Sequence, residues 1–155
     1  LHEANRRGAH TVMLCFNPSL RTAVRRLQDK AWKPNVLLAL DLGPEILTGS
    51  TRLKAGTATK LVLNALTTSA MVRIGKTYGN LMVDVRTGSE KLRDRARRIV
   101  HIVVGVEPDE AEKLLKRARW NVKAAIVMQK TGLPYARALA RLRKANDRIR
   151  EAIDE

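Results

Sequence analysis

Glu45, Thr48, Gly49, Ser50, Thr51, Arg52 and Lys54 fall within one short segment of the run Gly43-Pro44-Glu45-Ile46-Leu47-Thr48-Gly49-Ser50-Thr51-Arg52-Leu53-Lys54. Three hydroxyls, two cations and a carboxylate beside a tight glycine turn are the parts of an anion-binding site. If a helix begins just after them, its unsatisfied backbone N–H groups add partial positive charge at the same place. Glu45 adds an acid able to accept sugar hydroxyls or move a proton. The Gly and Lys spacing is not that of a Walker phosphate loop. The same residues also fit a plainer role, a capped helix start after a tight turn. From residue chemistry alone the two readings stand side by side.

Such a site depends on the elements around it. Leu1–Ala9 has the character of a helix end closed by Gly8. Thr11–Phe16 is a continuous apolar run stopped by Asn17-Pro18-Ser19, and Val36–Leu40 is a second run stopped by Asp41-Leu42-Gly43-Pro44. Short apolar runs of this kind predict strands buried on both faces of a parallel sheet. Leu20, Val24 and Leu27 have helical spacing between them. Thr51 to Gly75 lacks proline and carries apolar residues at three- and four-residue intervals, which predicts a long, deeply buried helix. The candidate segment therefore sits between a strand end and a helix start, where open α/β folds bind ligands.

Leu81–Val85 reads as a short extended piece or a loop. Ser89 is placed to cap a helix carrying Leu92, Ala96, Ile99 and Val103 on one face. Beyond Gly105, Pro108, Asn121, Gly132 and Pro134 punctuate three short helices, the last over Tyr135 to Ile153. Residues 1–105 thus read as part of an α/β domain and 106–155 as a small helical bundle. Two parallel strands make too small a sheet to stand alone. The α/β part is expected to be the back of a larger domain or to pair with another chain, and a start at Leu1 without methionine fits the former.

The 155 residues hold 30 Lys+Arg against 15 Asp+Glu, a formal charge of +15. The excess is spread along the chain, and aromatics make up only 3%, leaving little to stack bases. The charge reads as a solvated Arg-rich surface, with nucleic acid placed last among partners. The single Cys15 permits no internal disulfide, and no Cys/His cluster has zinc spacing. Cys15 inside its apolar run reads as an inert thiol, and His101 within Ile99–Val104 as core or interface packing. No apolar run is long enough to span a bilayer, and no signal peptide opens the chain, so the expected compartment is the cytoplasm.

The run GPEILTGSTRLKAGTATKLVLNALTTSAMVRIGKTYGNLMVDV resembles the central motif of the N-acetylmuramic acid 6-phosphate etherases, with a looser likeness to glucokinase regulatory proteins. RRGAHTVMLCFNPSL upstream, and EKLRDRARRIV and AEKLLKRARWNVKAAIVMQKTGLPYARALARL downstream, resemble the same family. The resemblance implies the C-terminal part of a sugar isomerase (SIS) parallel-sheet sandwich, then a three-helix bundle like ubiquitin-associated domains. It implies a lyase that removes D-lactate from N-acetylmuramic acid 6-phosphate, leaving N-acetylglucosamine 6-phosphate. That reaction belongs to peptidoglycan recycling by a cytoplasmic homodimer without metal or cofactor. The family's phosphate loop and acid–base glutamates belong to a first half with no counterpart here, so no catalytic residue is expected among these 155. Glu45, Thr48, Gly49, Ser50, Thr51, Arg52 and Lys54 remain as substrate-binding candidates. Trp120 stands where the family commonly has Gly, and Thr59 where Gln is common. The alternative is a non-catalytic module that binds or senses sugar phosphates.

Overall fold

A computed structural model describes residues 1–154 as a mixed α/β chain. It forms two compact units, Leu1–Ala65 and a second beginning at Leu66. The first unit runs α1 (His2–Arg6), β1 (Val12–Cys15), α2 (Leu20–Arg26), a 3-10 turn at Lys30–Trp32, and β2 (Val36–Ala39). It ends in the first part of α3 (Lys54–Arg73).

β1 and β2 pair in parallel, with Val12 beside Val36 and Cys15 beside Ala39. A polar knot fixes this register. The Asn5 amide donates to the Ala31 and Lys33 carbonyls at 2.9 and 2.7 Å. Thr11, buried, donates its backbone N–H to Asn35 Oδ1 at 2.7 Å and its hydroxyl to Asn5 Oδ1 at 2.7 Å. These bonds tie α1, the start of β1 and the turn before β2 together, and the His2 and Trp32 rings meet beside them with centroids 5.1 Å apart. At the other end Arg21 Nη2 donates to the Ala39 carbonyl at 2.6 Å, holding α2 against β2.

Two expectations fail here for one reason. The strands are not buried on both faces: Val12 is 50% exposed, and of the strand residues only Ala39 is buried. Nor is α3 deeply buried, since Ala55 is its one buried residue while Leu61 is 62% exposed and Leu66 48%. A two-stranded sheet offers little surface to pack on, and α3 mixes apolar and polar residues round its circumference, so it has no single apolar face for one neighbour to cover. Cys15 is free and half-buried.

The second unit contains the rest of α3, a hairpin of β3 (Thr77–Tyr78) and β4 (Leu81–Met82), and five helices. These are α4 (Glu90–Val104), α5 (Pro108–Arg117), α6 (Val122–Thr131), α7 (Tyr135–Lys144) and α8 (Ile149–Ile153). The caps are those the sequence announces. Ser89 Oγ accepts the Leu92 N–H at 3.4 Å, and Asn121 Oδ1 accepts that of Ala124 at 2.9 Å. Gly105 and Gly132 close α4 and α6 in the left-handed conformation.

α6 is the axis of this unit. Every residue from Val122 to Met128 is buried, and α4, α5, α7 and α8 all pack on it. Leu115, Ile126, Leu142 and Ile149 are the largest fully enclosed side chains. Arg97 bridges Glu90 on its own helix at 2.7 Å and Glu112 of α5 at 2.8 Å, stitching α4 to α5 at the surface.

The expected single helix over Tyr135–Ile153 breaks into α7 and α8. Asn146 and Asp147 both adopt positive φ, and the buried Lys123 donates to the Asp147 carbonyl at 3.1 Å. The turn folds α8 back onto α6, which burial of Ile149 and Ala152 rewards. His101 is exposed, not core: its Nδ1 lies 2.6 Å from the Val106 carbonyl, an acceptor, so that nitrogen carries the proton and staples the α4–α5 link.

Arg119 and Trp120 also have positive φ, +53° and +60°. For a bulky residue this backbone costs about 1–2 kcal/mol. Trp120→Gly is therefore expected to unfold at higher denaturant than Trp120→Ala, with a gap of about 1 kcal/mol. Both variants lose the indole, so the comparison isolates the backbone; equal midpoints would refute the strain.

Candidate functional site at the start of α3

The loop from Asp41 to Leu53 leaves the C-terminal end of β2 and delivers the chain to α3. Gly43, at φ +62°, donates its N–H to Asp41 Oδ1 at 3.1 Å, a side-chain turn that starts the loop. Glu45 then reaches forward across it. Its Oε2 accepts the Lys54 N–H and its Oε1 the Ala55 N–H, each at 3.0 Å. The carboxylate thus occupies two of the four N–H groups that open a helix. The Lys54 ammonium folds back to the Leu42 carbonyl at 2.6 Å. Loop and helix start are closed on each other by one acid and one base.

This changes the expected roles. The N–H groups of Lys54 and Ala55 are not open to an outside anion, because Glu45 already fills the position. Those two backbone hydrogen bonds, from Ala55 first and Lys54 second, hold the Glu45 carboxyl below the ordinary carboxylate range. Of the seven candidates, the structure brings Glu45 and Lys54 together. Ser50 is half-buried, its N–H donating to the Leu47 carbonyl at 3.0 Å. Thr48, Gly49, Thr51 and Arg52 lie exposed on the same loop, with Gly49 at φ +83°. Asp41 and the Leu42 carbonyl, which hold the loop, were not among the candidates. The spacing Asp41-Leu42-Gly43 was the available signal for the first; no side-chain pattern signals the second.

A lowered carboxyl stabilises the fold above its ordinary pKa, and that stability is lost as pH falls through the lowered value. Acid is therefore expected to loosen the start of α3. Glu45→Gln should flatten that pH dependence and lower stability at neutral pH, read by amide exchange of Lys54 and Ala55. An unchanged acid profile in Glu45→Gln would contradict it.

Among the described residues no helix is long and apolar enough to cross a membrane, and no group of three or more His, Cys, Asp or Glu is placed to hold a metal ion. No family model matches the chain. Curated relatives do. The chain is 49% identical over 155 residues to N-acetylmuramic acid 6-phosphate etherase of Rubrobacter xylanophilus, covering all of this chain and 48% of that protein. It is 52% identical over 150 residues to the protein of that name from Deinococcus radiodurans, covering 96% of this chain and 46% of the relative. With the one from Alkaliphilus metalliredigens it shares 46% over 154 residues, 99% of this chain and 48% of the relative. The chain spans about half the length of the curated relatives it matches, which is consistent with a C-terminal half. Along its whole length the chain is homologous to proteins named N-acetylmuramic acid 6-phosphate etherase.

Proposed function

We propose that these residues are the C-terminal half of a lyase that cleaves the D-lactyl ether of N-acetylmuramic acid 6-phosphate. The products are N-acetylglucosamine 6-phosphate and D-lactate, in cytoplasmic amino-sugar recycling. The observation that carries this is identity of 46–52% to proteins of that name over nearly the whole chain. In this reading residues 1–105 complete a SIS sandwich, 106–155 form the appended bundle, and the assembled enzyme is a homodimer needing no metal or cofactor. The open β1–β2 pair and the exposed apolar side chains of α3 support a domain whose other strands come from elsewhere.

The chemistry divides accordingly. A glutamate of the first half removes a proton beside the sugar carbonyl, the C3–O bond breaks, and a second acid protonates the departing lactate oxygen. Water then adds at C3. This half contributes the loop from Glu45 to Lys54, where Thr48, Ser50, Thr51 and Arg52 present hydroxyls and a cation to the sugar phosphate.

Mixing this chain with the first half of the Rubrobacter relative is expected to yield lactate from N-acetylmuramic acid 6-phosphate. A folded complex that releases none would end the enzymatic reading. One observation favours a second reading, a sugar-phosphate-binding module without chemistry: Glu45, the one acid among the candidate residues, is committed to the start of α3. Calorimetric binding of sugar 6-phosphates by a complex that makes no lactate would establish it.

A further inference from the structure

The second unit holds a polar hollow of about 270 Å³, far along the sequence from the α3 loop, walled by Asp84, Arg86, Arg119, Trp120, Asn121 and Tyr135 among others. Its chemistry is unbalanced. The Arg119 guanidinium lies over the Tyr135 ring, 5.2 Å from its centre, and that of Arg93 lies 5.1 Å over Trp120. Neither they nor Arg86 forms an ion pair among the described residues, while Arg97, Arg98 and Arg148 all do. The one acid on the wall, Asp84, is bridged by Lys76 at 2.7 Å and also feels the Arg86 charge through space, so one carboxylate is shared among cations that outnumber it.

Gathering unpaired guanidiniums costs free energy unless an anion joins them. Stacking on a ring fixes a guanidinium's plane while leaving its edge N–H groups free for a two-pronged bond to an oxyanion. Asn121 adds to this, since its Oδ1 accepts the Ala124 N–H and its amide nitrogen keeps two donors. The backbone at Arg119 and Trp120, held at positive φ, sets two of these side chains on the wall.

We propose that this hollow is a second anion site, one that takes a phosphate or phosphomonoester dianion between Arg86 and Arg119. A dianion matches several guanidiniums better than a single carboxylate does. A nucleic acid fits poorly, because guanidiniums already lie over both rings on which bases would stack. The site goes beyond the etherase reading and does not depend on it, since its residues belong to the second unit and none comes from the α3 loop.

The test titrates the intact chain with inorganic phosphate and, separately, with glucose 6-phosphate at constant ionic strength. Trp120 amide shifts by NMR report binding. Saturable binding with Kd of about 1 mM or tighter is expected for at least one of the two probes. Binding of phosphate as tight as the sugar phosphate assigns recognition to the phosphoryl group alone; tighter sugar phosphate binding adds a sugar contact. Arg86→Gln, at an exposed position, should weaken either by about tenfold. Arg119→Gln should do the same, and Lys113→Gln on α5 should not. A linear, unsaturating response, or equal affinity in Arg86→Gln and the parent chain, would overturn the proposal.

Discussion

Gly75→Ala is expected to be the most damaging single-atom-scale change in the chain. Gly75 ends α3 at φ +75°, and a Cβ there would lie 2.7 Å from the Asp147 carbonyl oxygen and 3.0 Å from its carbon. Both contacts are with backbone, which cannot swing aside. The neighbouring bonds show why the approach is so close. Arg148 Nη2 donates to the Arg73 carbonyl at 3.2 Å, and Lys123 holds the Asp147 carbonyl at 3.1 Å. The α7–α8 turn is thus pressed against the end of α3 from two sides. The left-handed backbone contributes about 1–2 kcal/mol of the cost and the displaced turn about 1–3 kcal/mol, so about 3 kcal/mol is expected. Denaturant unfolding followed by near-UV circular dichroism measures it. A loss under about 1 kcal/mol would mean that the turn yields easily.

The second large effect concerns α3 and separates two properties usually lost together. Leu66→Gln and Met71→Gln change side chains 48% and 47% exposed. Within this chain each is expected to alter stability by less than about 0.5 kcal/mol, as at other surface positions. If the other half of an etherase covers α3, each buried apolar side chain is worth about 1.5–3 kcal/mol at that contact. Complex formation with the first half should therefore weaken at least about tenfold per substitution. Native mass spectrometry and lactate release read the outcome together. Weakened assembly with unchanged stability is the expected pair; unchanged assembly would place the contact elsewhere.

How much of this was legible beforehand follows from what each feature depends on. Features set by neighbours in sequence were readable: the two strands, the Ser89 and Asn121 caps, and the Gly105 and Gly132 stops each rest on a few adjacent residues. Features set by distant partners were not. The break at Asn146–Asp147 is favoured by Lys123 and by α8 packing on α6, which no local pattern reveals. His101 sits in an apolar run, yet α4 turns it outward to reach Val106. The long helix is legible from its spacing, but its burial depends on packing partners that spacing does not specify. In the candidate site the residues are contiguous in sequence, on the loop and the first turn of α3. The role of Glu45 was missed because reaching forward to Lys54 and Ala55 depends on the path of the intervening loop, not on spacing.

Glu45 carries one more consequence, thermodynamic in kind. A carboxylate held at a helix start is a tethered occupant, and its local concentration there is that of a short linker, on the order of millimolar or above. Any external oxyanion reaching those two N–H groups enters an exchange and not an empty seat. Its apparent affinity is the difference between its own bond and the one it displaces. The start of α3 therefore discriminates against weak anions such as chloride and rewards a ligand that brings further contacts with it. Selectivity of this kind is a threshold built from an internal bond.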